Sequence, residues 1–252
     1  MPEGGNTVHN DSGHIRILIR RLQRSTGLNE EELADLRSLP IQVREVGRNE
    51  TISHEGDRVD HCMLVVNGFV ARYQDTREGM RQILSFYVPG DIPDLQTLHL
   101  ATMDHSVASI TAGKVAMIPH GALHDICDRN SRIASALWRE TLIDAAIART
   151  WLRCLGRQQA HSRIAHILCE LYTRLNAVGL AEHPIRMPFT QAEFADATGL
   201  SVVQVNRTLR ELREEELITV RKREMVVHDL ARLQHVAEFD PLYLHLDPAQ
   251  RR

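Results

Sequence analysis

The sequence predicts an α+β protein: an N-terminal antiparallel β jelly roll, a long helix, and a C-terminal winged helix-turn-helix. Three observations carry this. Seven short β-rich runs, broken by Gly, Pro and Asp, fill residues 41–119. A helical apolar pattern then runs from Ser131 to Leu155. Between Phe189 and Leu212 the same helix-start signal is written twice, eleven residues apart.

Taken in order, residues 1–14 are polar and Gly-rich and read as a disordered N-terminus. The first domain spans 15–128. It opens with a helical pattern from Ile15 to Leu39, with a cap signal at Asn29 and a stop before Pro40. The strand candidates follow: 41–46, 50–53, 62–66, 69–73, 82–88, 107–111 and 115–119, with turns at Gly56-Asp57, Asn67-Gly68, Glu78-Gly79 and Pro89-Gly90-Asp91.

Residues 129–156 form the long helix. Ile133, Leu137, Thr141, Ala145, Ala148, Leu152 and Leu155 recur at intervals of three and four, while Trp138, Ile143, Ile147 and Trp151 lie off that stripe. More than one side must therefore be covered. The jelly roll covers one side, and the same helix of a second subunit covers the other through Leu137, Thr141, Ala145, Ala148, Leu152 and Leu155. A homodimer is the expected state.

The winged part spans 157–235, beginning with a linking helix from Ser162 to Leu175, and a Pro-containing tail spans 236–252. Thr190 precedes Glu193 by three residues and Ser201 precedes Gln204 by three, so each hydroxyl can cap a backbone N–H while the longer side chain reaches back. Phe189 and Phe194, then Leu200 and Val205, supply the apolar staples, and Gly199 sits at the turn. On the second helix Val205, Leu209 and Leu212 share the inward face. Val202, Val203, Asn206, Arg207 and Arg210 share the outward one, where Arg can bond guanine, Asn adenine, and Val a thymine methyl. Thr190, Ser201 and Gln204 flank the same surface. Leu217–Val220 and Met225–Val227 then read as a hairpin wing, whose tip residues Arg221, Lys222 and Arg223 are placed to meet phosphates. The expected partner is double-stranded DNA.

With 252 residues the chain has room for two domains with their own cores, and its formal net charge of −3 excludes a generally basic nucleic-acid coat. No apolar run approaches membrane-spanning length and the N-terminus lacks signal-peptide character, so no membrane association and a cytoplasmic location are expected. The four cysteines, Cys62, Cys127, Cys154 and Cys169, show no C-x-x-C spacing, which argues against a zinc ribbon or disulfide framework.

This order of parts resembles the Crp/Fnr family of bacterial transcription regulators from about residue 30 to about 235, as do Glu55-Gly56-Asp57, Val66-Asn67-Gly68-Phe69-Val70 and Pro89-Gly90-Asp91. The resemblance implies a cyclic-nucleotide-binding-like sensor, a dimerisation helix and a Crp-type DNA-binding domain, with RNA polymerase as a further partner. Arg207 matches the family's recognition-helix Arg. Val203 stands where many members carry Glu, so the family's well-known half-sites do not transfer directly. In members that bind cyclic AMP, a Gly-Glu pair meets the ribose and an Arg-Ser pair the phosphate. Here Pro93-Asp94 and His105-Ser106 stand nearest, so the implied effector pocket comprises Asp94, Leu95, His105 and Ser106. A His serves a phosphate less well than the always-charged fork of an Arg, so cyclic nucleotide binding is not expected. Members with an iron–sulfur cluster group cysteines near the N-terminus, and none precedes Cys62, so no cluster and no other cofactor is expected. The effector is left open between an unknown small molecule, a redox signal acting through Cys62 or Cys154, and a sensor that has lost its effector altogether.

The competing function is a jelly-roll metal enzyme of the cupin kind, or a metal or haem sensor, suggested by fourteen histidines. Cupin-type sites place two His at i and i+2 on one strand face, and no His-x-His occurs here. His99, His105, His120 and His124 lack ligand-like spacing, and neither a nucleophile elbow nor a phosphate loop is present, so no enzyme and no metal site are expected.

Overall fold

The computed structural model describes residues 13–181, 185–221 and 224–246. Most of the expected N-terminal disordered stretch, the wing-tip residues Lys222 and Arg223, and the tail from 247 lie outside the described residues. The N-terminal helical pattern resolves into α1 (Arg16–Thr26) and α2 (Glu30–Arg37), separated by Gly27 in the left-handed region at φ 62°. Asn29 caps α2 through a reciprocal bond pair with Glu32, as its sequence signal requires.

The strands β1 (Gln42–Val46), β2 (Thr51–Ser53), β3 (His61–Asn67), β4 (Val70–Asp75), β5 (Arg81–Tyr87), β6 (Ser106–Ser109) and β7 (Gly113–Pro119) fall on the seven expected runs. They pair antiparallel in two sheets, in the orders β1-β7-β3 and β2-β6-β4-β5. Gly68 turns β3 into β4 at φ 84°, where a Cβ would lie 2.7 Å from the Thr111 hydroxyl, so no other residue fits this turn without displacing its neighbour. A 3-10 turn at Leu95–Leu98 lies between β5 and β6.

Helix α3 (His120–Arg129) follows β7 directly and had no distinct sequence signal. Next come α4 (Ser131–Arg157), capped by Asn130, and α5 (Ala160–Ala177). The winged unit adds β8 (Ile185–Met187), α6 (Gln191–Thr198), α7 (Val202–Glu214), β9 (Ile218–Arg221), β10 (Glu224–Val227) and α8 (Leu230–Val236). The wing is a three-stranded sheet, β8-β10-β9, rather than the expected two-stranded hairpin. A second 3-10 turn, Pro241–Leu244, returns the chain toward α4 and α5.

The two halves do not have wholly separate cores. One apolar cluster runs from Ala71, Ile83 and Phe86 in the jelly roll, through Ile147 and Trp151 of α4, to Leu168 of α5 and Val205 of α7. Phe189 forms the expected staple with Phe194, at 5.7 Å between ring centroids, and also reaches Phe86 (4.6 Å) and Phe69 (5.1 Å) across the junction. The Gln82 amide donates to the Asp196 carbonyl at 2.8 Å, and Arg48 pairs with Glu193 at 2.8 Å. The first helix of the helix-turn-helix is thus docked on the jelly roll.

Candidate nucleic-acid interface and effector cavity

Both capping boxes form. The Glu193 N–H donates to the Thr190 hydroxyl (3.2 Å) while the Thr190 N–H donates to the Glu193 carboxylate (2.6 Å). The Gln204 N–H donates to the Ser201 hydroxyl (3.2 Å), and the Ser201 N–H to the Gln204 side-chain carbonyl (2.9 Å). Gly199 ends α6 at φ 64°, so the chain reverses within a few residues and α7 begins at a fixed angle.

Val205, Thr208, Leu209 and Leu212 of α7 are buried, and Val202, Gln204, Asn206, Arg207 and Arg210 are exposed, with Val203 at 79% the most open. Arg207 and Arg210 lean on Glu211 (3.6 Å) and Glu214 (3.7 Å) one turn on. Such solvent-exposed pairs are worth about 0.3–0.5 kcal/mol, so either guanidinium can turn to a base edge at little cost. The Asn206 amide donates to the Gln191 side chain at 3.3 Å, which joins Gln191, absent from the sequence reading, to this surface. Helix-start logic counts Gln191 only as the residue after a cap and carries no hint of its neighbour across the turn. In the wing the backbones of Arg221 and Glu224 are opposite each other in the β9–β10 ladder, leaving a two-residue connection. Of the three expected phosphate contacts only the backbone of Arg221 is described.

The face that α4 leaves open differs in part from the predicted stripe. Trp138, Leu142 and Leu152 are 67%, 54% and 72% exposed, and Ala145 and Ala148 lie between them. Leu137 is instead 3% exposed within the core formed by α1, α2, α3 and the jelly roll, and Leu155 is half-buried beside Gly199. The reason is geometric: each four-residue step advances about 40° around a helix of 3.6 residues per turn. The stripe therefore winds from the buried side at Ile133 and Leu137 to the open side at Ala145, and Trp138 belongs to the open face.

Between the jelly roll and α4 lies a cavity of about 260 Å³. Leu95 and His105 line it, but Asp94 and Ser106 do not. The Asp94 carboxylate turns inward and accepts the Met63 N–H at 2.8 Å, and burial pushes its pKa up to about 7. The Ser106 hydroxyl accepts the Glu55 N–H at 3.0 Å. His105 is 4% exposed and meets Asp104 at 2.6 Å, and burial, then Arg72, lower its pKa, which favours a neutral ring. The cation that acts on His105, Arg72, is already engaged: it pairs with Asp144 of α4 at 2.8 Å and bonds the Pro93 carbonyl. Tyr87 donates to the same Asp144 at 2.9 Å. Nothing in the pattern of β4 marked Arg72, since a lone Arg in an apolar strand reads as an edge charge. Acidic side chains (Asp91, Asp104, Glu140 and Asp144) line the cavity beside Arg21, Arg72 and Arg174, a poor setting for a phosphate.

All four cysteines are free, and among the described residues no group of three or more His, Cys, Asp or Glu is arranged to hold a metal ion. Burial pushes the Cys169 thiol up to about 12 and raises Cys62, Cys127 and Cys154 above the ordinary value, which disfavours the thiolate that redox sensing through Cys62 or Cys154 requires.

A jelly-roll sensor joined through a long helix to a winged helix-turn-helix defines a DNA-binding transcription regulator. Residues 43–130 match the family model for the cyclic nucleotide-binding domain, and residues 162–236 the model for the Crp-like helix-turn-helix domain. The chain belongs to the Crp/Fnr family. It is 28% identical over 220 residues to the transcriptional activator protein FnrL of Cereibacter sphaeroides, covering 84% of this chain and 86% of that one. The transcriptional activator protein Anr of Pseudomonas protegens is 23% identical over 80% of this chain and 83% of its own. Among solved structures, FixK2 from Bradyrhizobium japonicum superposes with a TM-score of 0.70 at 24% identity, covering 78% of this chain and 96% of that one, a likeness of fold.

Proposed function

We propose that this regulator acts as a homodimer on a palindromic DNA site, without catalytic activity and without dependence on cyclic AMP. The observation that carries the reading is the α7 surface: a doubly capped helix-turn-helix presents Val202, Val203, Asn206, Arg207 and Arg210 to solvent from a helix whose other side is buried. Asn206 and Arg207 read base edges. Arg221, Lys222 and Arg223 meet phosphates. The open apolar face of α4, from Trp138 through Leu142, Ala145 and Ala148 to Leu152, meets its own copy and sets the two recognition helices about one DNA turn apart. In this reading the divisions are 15–128, 129–156 and 157–235, RNA polymerase is the partner at the promoter, and the protein works in the cytoplasm. Burial lowers the His105 pKa, and Arg21, Arg72 and Arg174 are each engaged by a carboxylate, so among the described cavity residues a cyclic nucleotide phosphate meets no unengaged cation. Selection of bound sites from random DNA, followed by footprinting, tests the reading. It predicts two inverted half-sites, and a single unrepeated element would overturn it.

A further inference from the structure

Arg174 lies near the end of α5, a helix that packs on α7 and α8 of the winged unit, yet its guanidinium leaves that unit and enters the jelly roll. Its Nη2 lies 2.5 Å from Asp91 Oδ2, and its Nη1 donates to the Phe86 carbonyl at 2.8 Å and to Glu170 at 3.0 Å. Asp91 is the acid of the Pro89-Gly90-Asp91 turn. Its carboxylate also accepts the Val88 N–H (2.7 Å) and meets Arg21 of α1 (2.7 Å), whose Nε pairs with Glu140 of α4 (2.6 Å). Two helices, α5 through Arg174 and α1 through Arg21, thus converge on one carboxylate, with Arg174 2% and Asp91 3% exposed. On the far side, Glu170 accepts from Trp151 of α4 (3.0 Å) and from Tyr243 of the final turn (2.7 Å).

We infer that Arg174 and Asp91 are positioning residues for DNA recognition: their ion pair fixes the angle of the winged unit on the sensor, and so the spacing of the two recognition helices. A buried ion pair is a weak source of net stability, and apolar contact could hold the two units together. The aromatic junction around Phe189 and Phe86 already does so, but ring contacts tolerate sliding. A planar guanidinium meeting a carboxylate and a carbonyl fits one orientation. Burial alone would lower the Arg174 pKa, but Asp91 and Glu170 raise it, so the guanidinium is charged throughout the physiological range. Arg21, Asp91, Glu140 and Arg174 also line the cavity beside α4, so an occupant there would touch this pair directly.

The inference rests on the DNA-reading role of α7, and its test separates the two. Labels at Arg77 in the jelly roll and Glu214 in α7, both exposed, report the angle as a distance distribution within one protomer. It is measured by electron spin resonance in dimers formed with excess unlabelled chain. Arg174→Met should broaden that distribution and lower affinity for the selected site at least tenfold, with dimer mass and low-salt affinity for random DNA unchanged. Arg174→Lys should recover the melting temperature but not the narrow distribution, because an ammonium lacks the fork. Asp91→Asn should reproduce the Met result and decides the matter if Arg174→Met does not fold. A narrow, unshifted distribution and unchanged site affinity in the folded variants would overturn the inference. Failure of the parent protein to prefer any DNA sequence would instead overturn the reading of α7, while the distance measurement would still judge the ion pair.

Discussion

Replacing Leu152 with Arg should dissolve the dimer and leave the protomer intact. Leu152 is 72% exposed on the single chain, so the substitution disturbs almost no packing within it. Its effect on protomer stability should stay within about 0.5 kcal/mol. At a dimer interface the same side chain is covered. Burying a whole Leu is worth about 1.5–3 kcal/mol, so covering the open part of this one contributes about 1–2 kcal/mol per copy, or about 2–4 kcal/mol for both. Arg forfeits that and places two like charges close to the symmetry axis, so the dissociation constant should rise by at least about 30- to 1,000-fold. Sedimentation equilibrium reads the mass, and circular dichroism the fold. Leu137→Arg is the contrast: Leu137 is 3% exposed in the intramolecular core, so that variant should melt the sensor rather than merely split the dimer. An unchanged dimer mass for Leu152→Arg, with Leu137→Arg monomeric and folded, would refute the assignment of faces on α4.

Arg207→Ala should weaken binding to the selected site by about 1–3 kcal/mol and relax preference at one base position, read by competition titration with single-base variants. Neutralising Lys222 or Arg223 should weaken all sequences alike and lower the salt slope by about one unit each. Thr190→Ala removes the cap of α6 and should reduce stability by about 0.5–2 kcal/mol in urea denaturation. Asp94 binds its proton more tightly folded, at about 7, than unfolded, near the ordinary carboxylate value. Between about pH 4 and 7 the folded state therefore holds more protons, and stability should fall as pH rises, by at most about 4 kcal/mol. Asp94→Asn should flatten that dependence in denaturation curves taken across the range. Cyclic AMP at micromolar concentration should give no saturable heat at pH 7.5, whereas His105→Arg, which adds a permanent cation to the cavity wall, should give weak binding.

The parts legible in the sequence were those with local causes. The strands announced themselves by β-branched and aromatic runs between turn residues, and both helix starts of the helix-turn-helix by Thr190–Glu193 and Ser201–Gln204, whose partners lie three residues away. Contacts set by tertiary approach left no such mark. Arg72 meets Asp144 across 72 positions and Arg174 meets Asp91 across 83, and neither has a periodic or spaced signature. β8 is three residues long before a Pro, too short to show alternation. The stripe on α4 was visible as a stripe, but its drift around the helix, and hence the exchange of Leu137 for Trp138, required knowing where the jelly roll sits. For Asp94 and Ser106, position along the chain was a poor guide to direction: both lie close to the cavity in sequence, and both turn to backbone N–H groups instead.

Footprinting the purified protein on its selected site, with the mass of the complex measured on the same sample, decides whether α7 reads DNA from a symmetric dimer. Two chains per duplex and two protected, inverted half-sites about one helical turn apart are expected, with both protections weakened together in Arg207→Ala and lost together in Leu152→Arg. One chain per duplex over a single half-site, or protection that survives Arg207→Ala with its base preference unchanged, would contradict that reading.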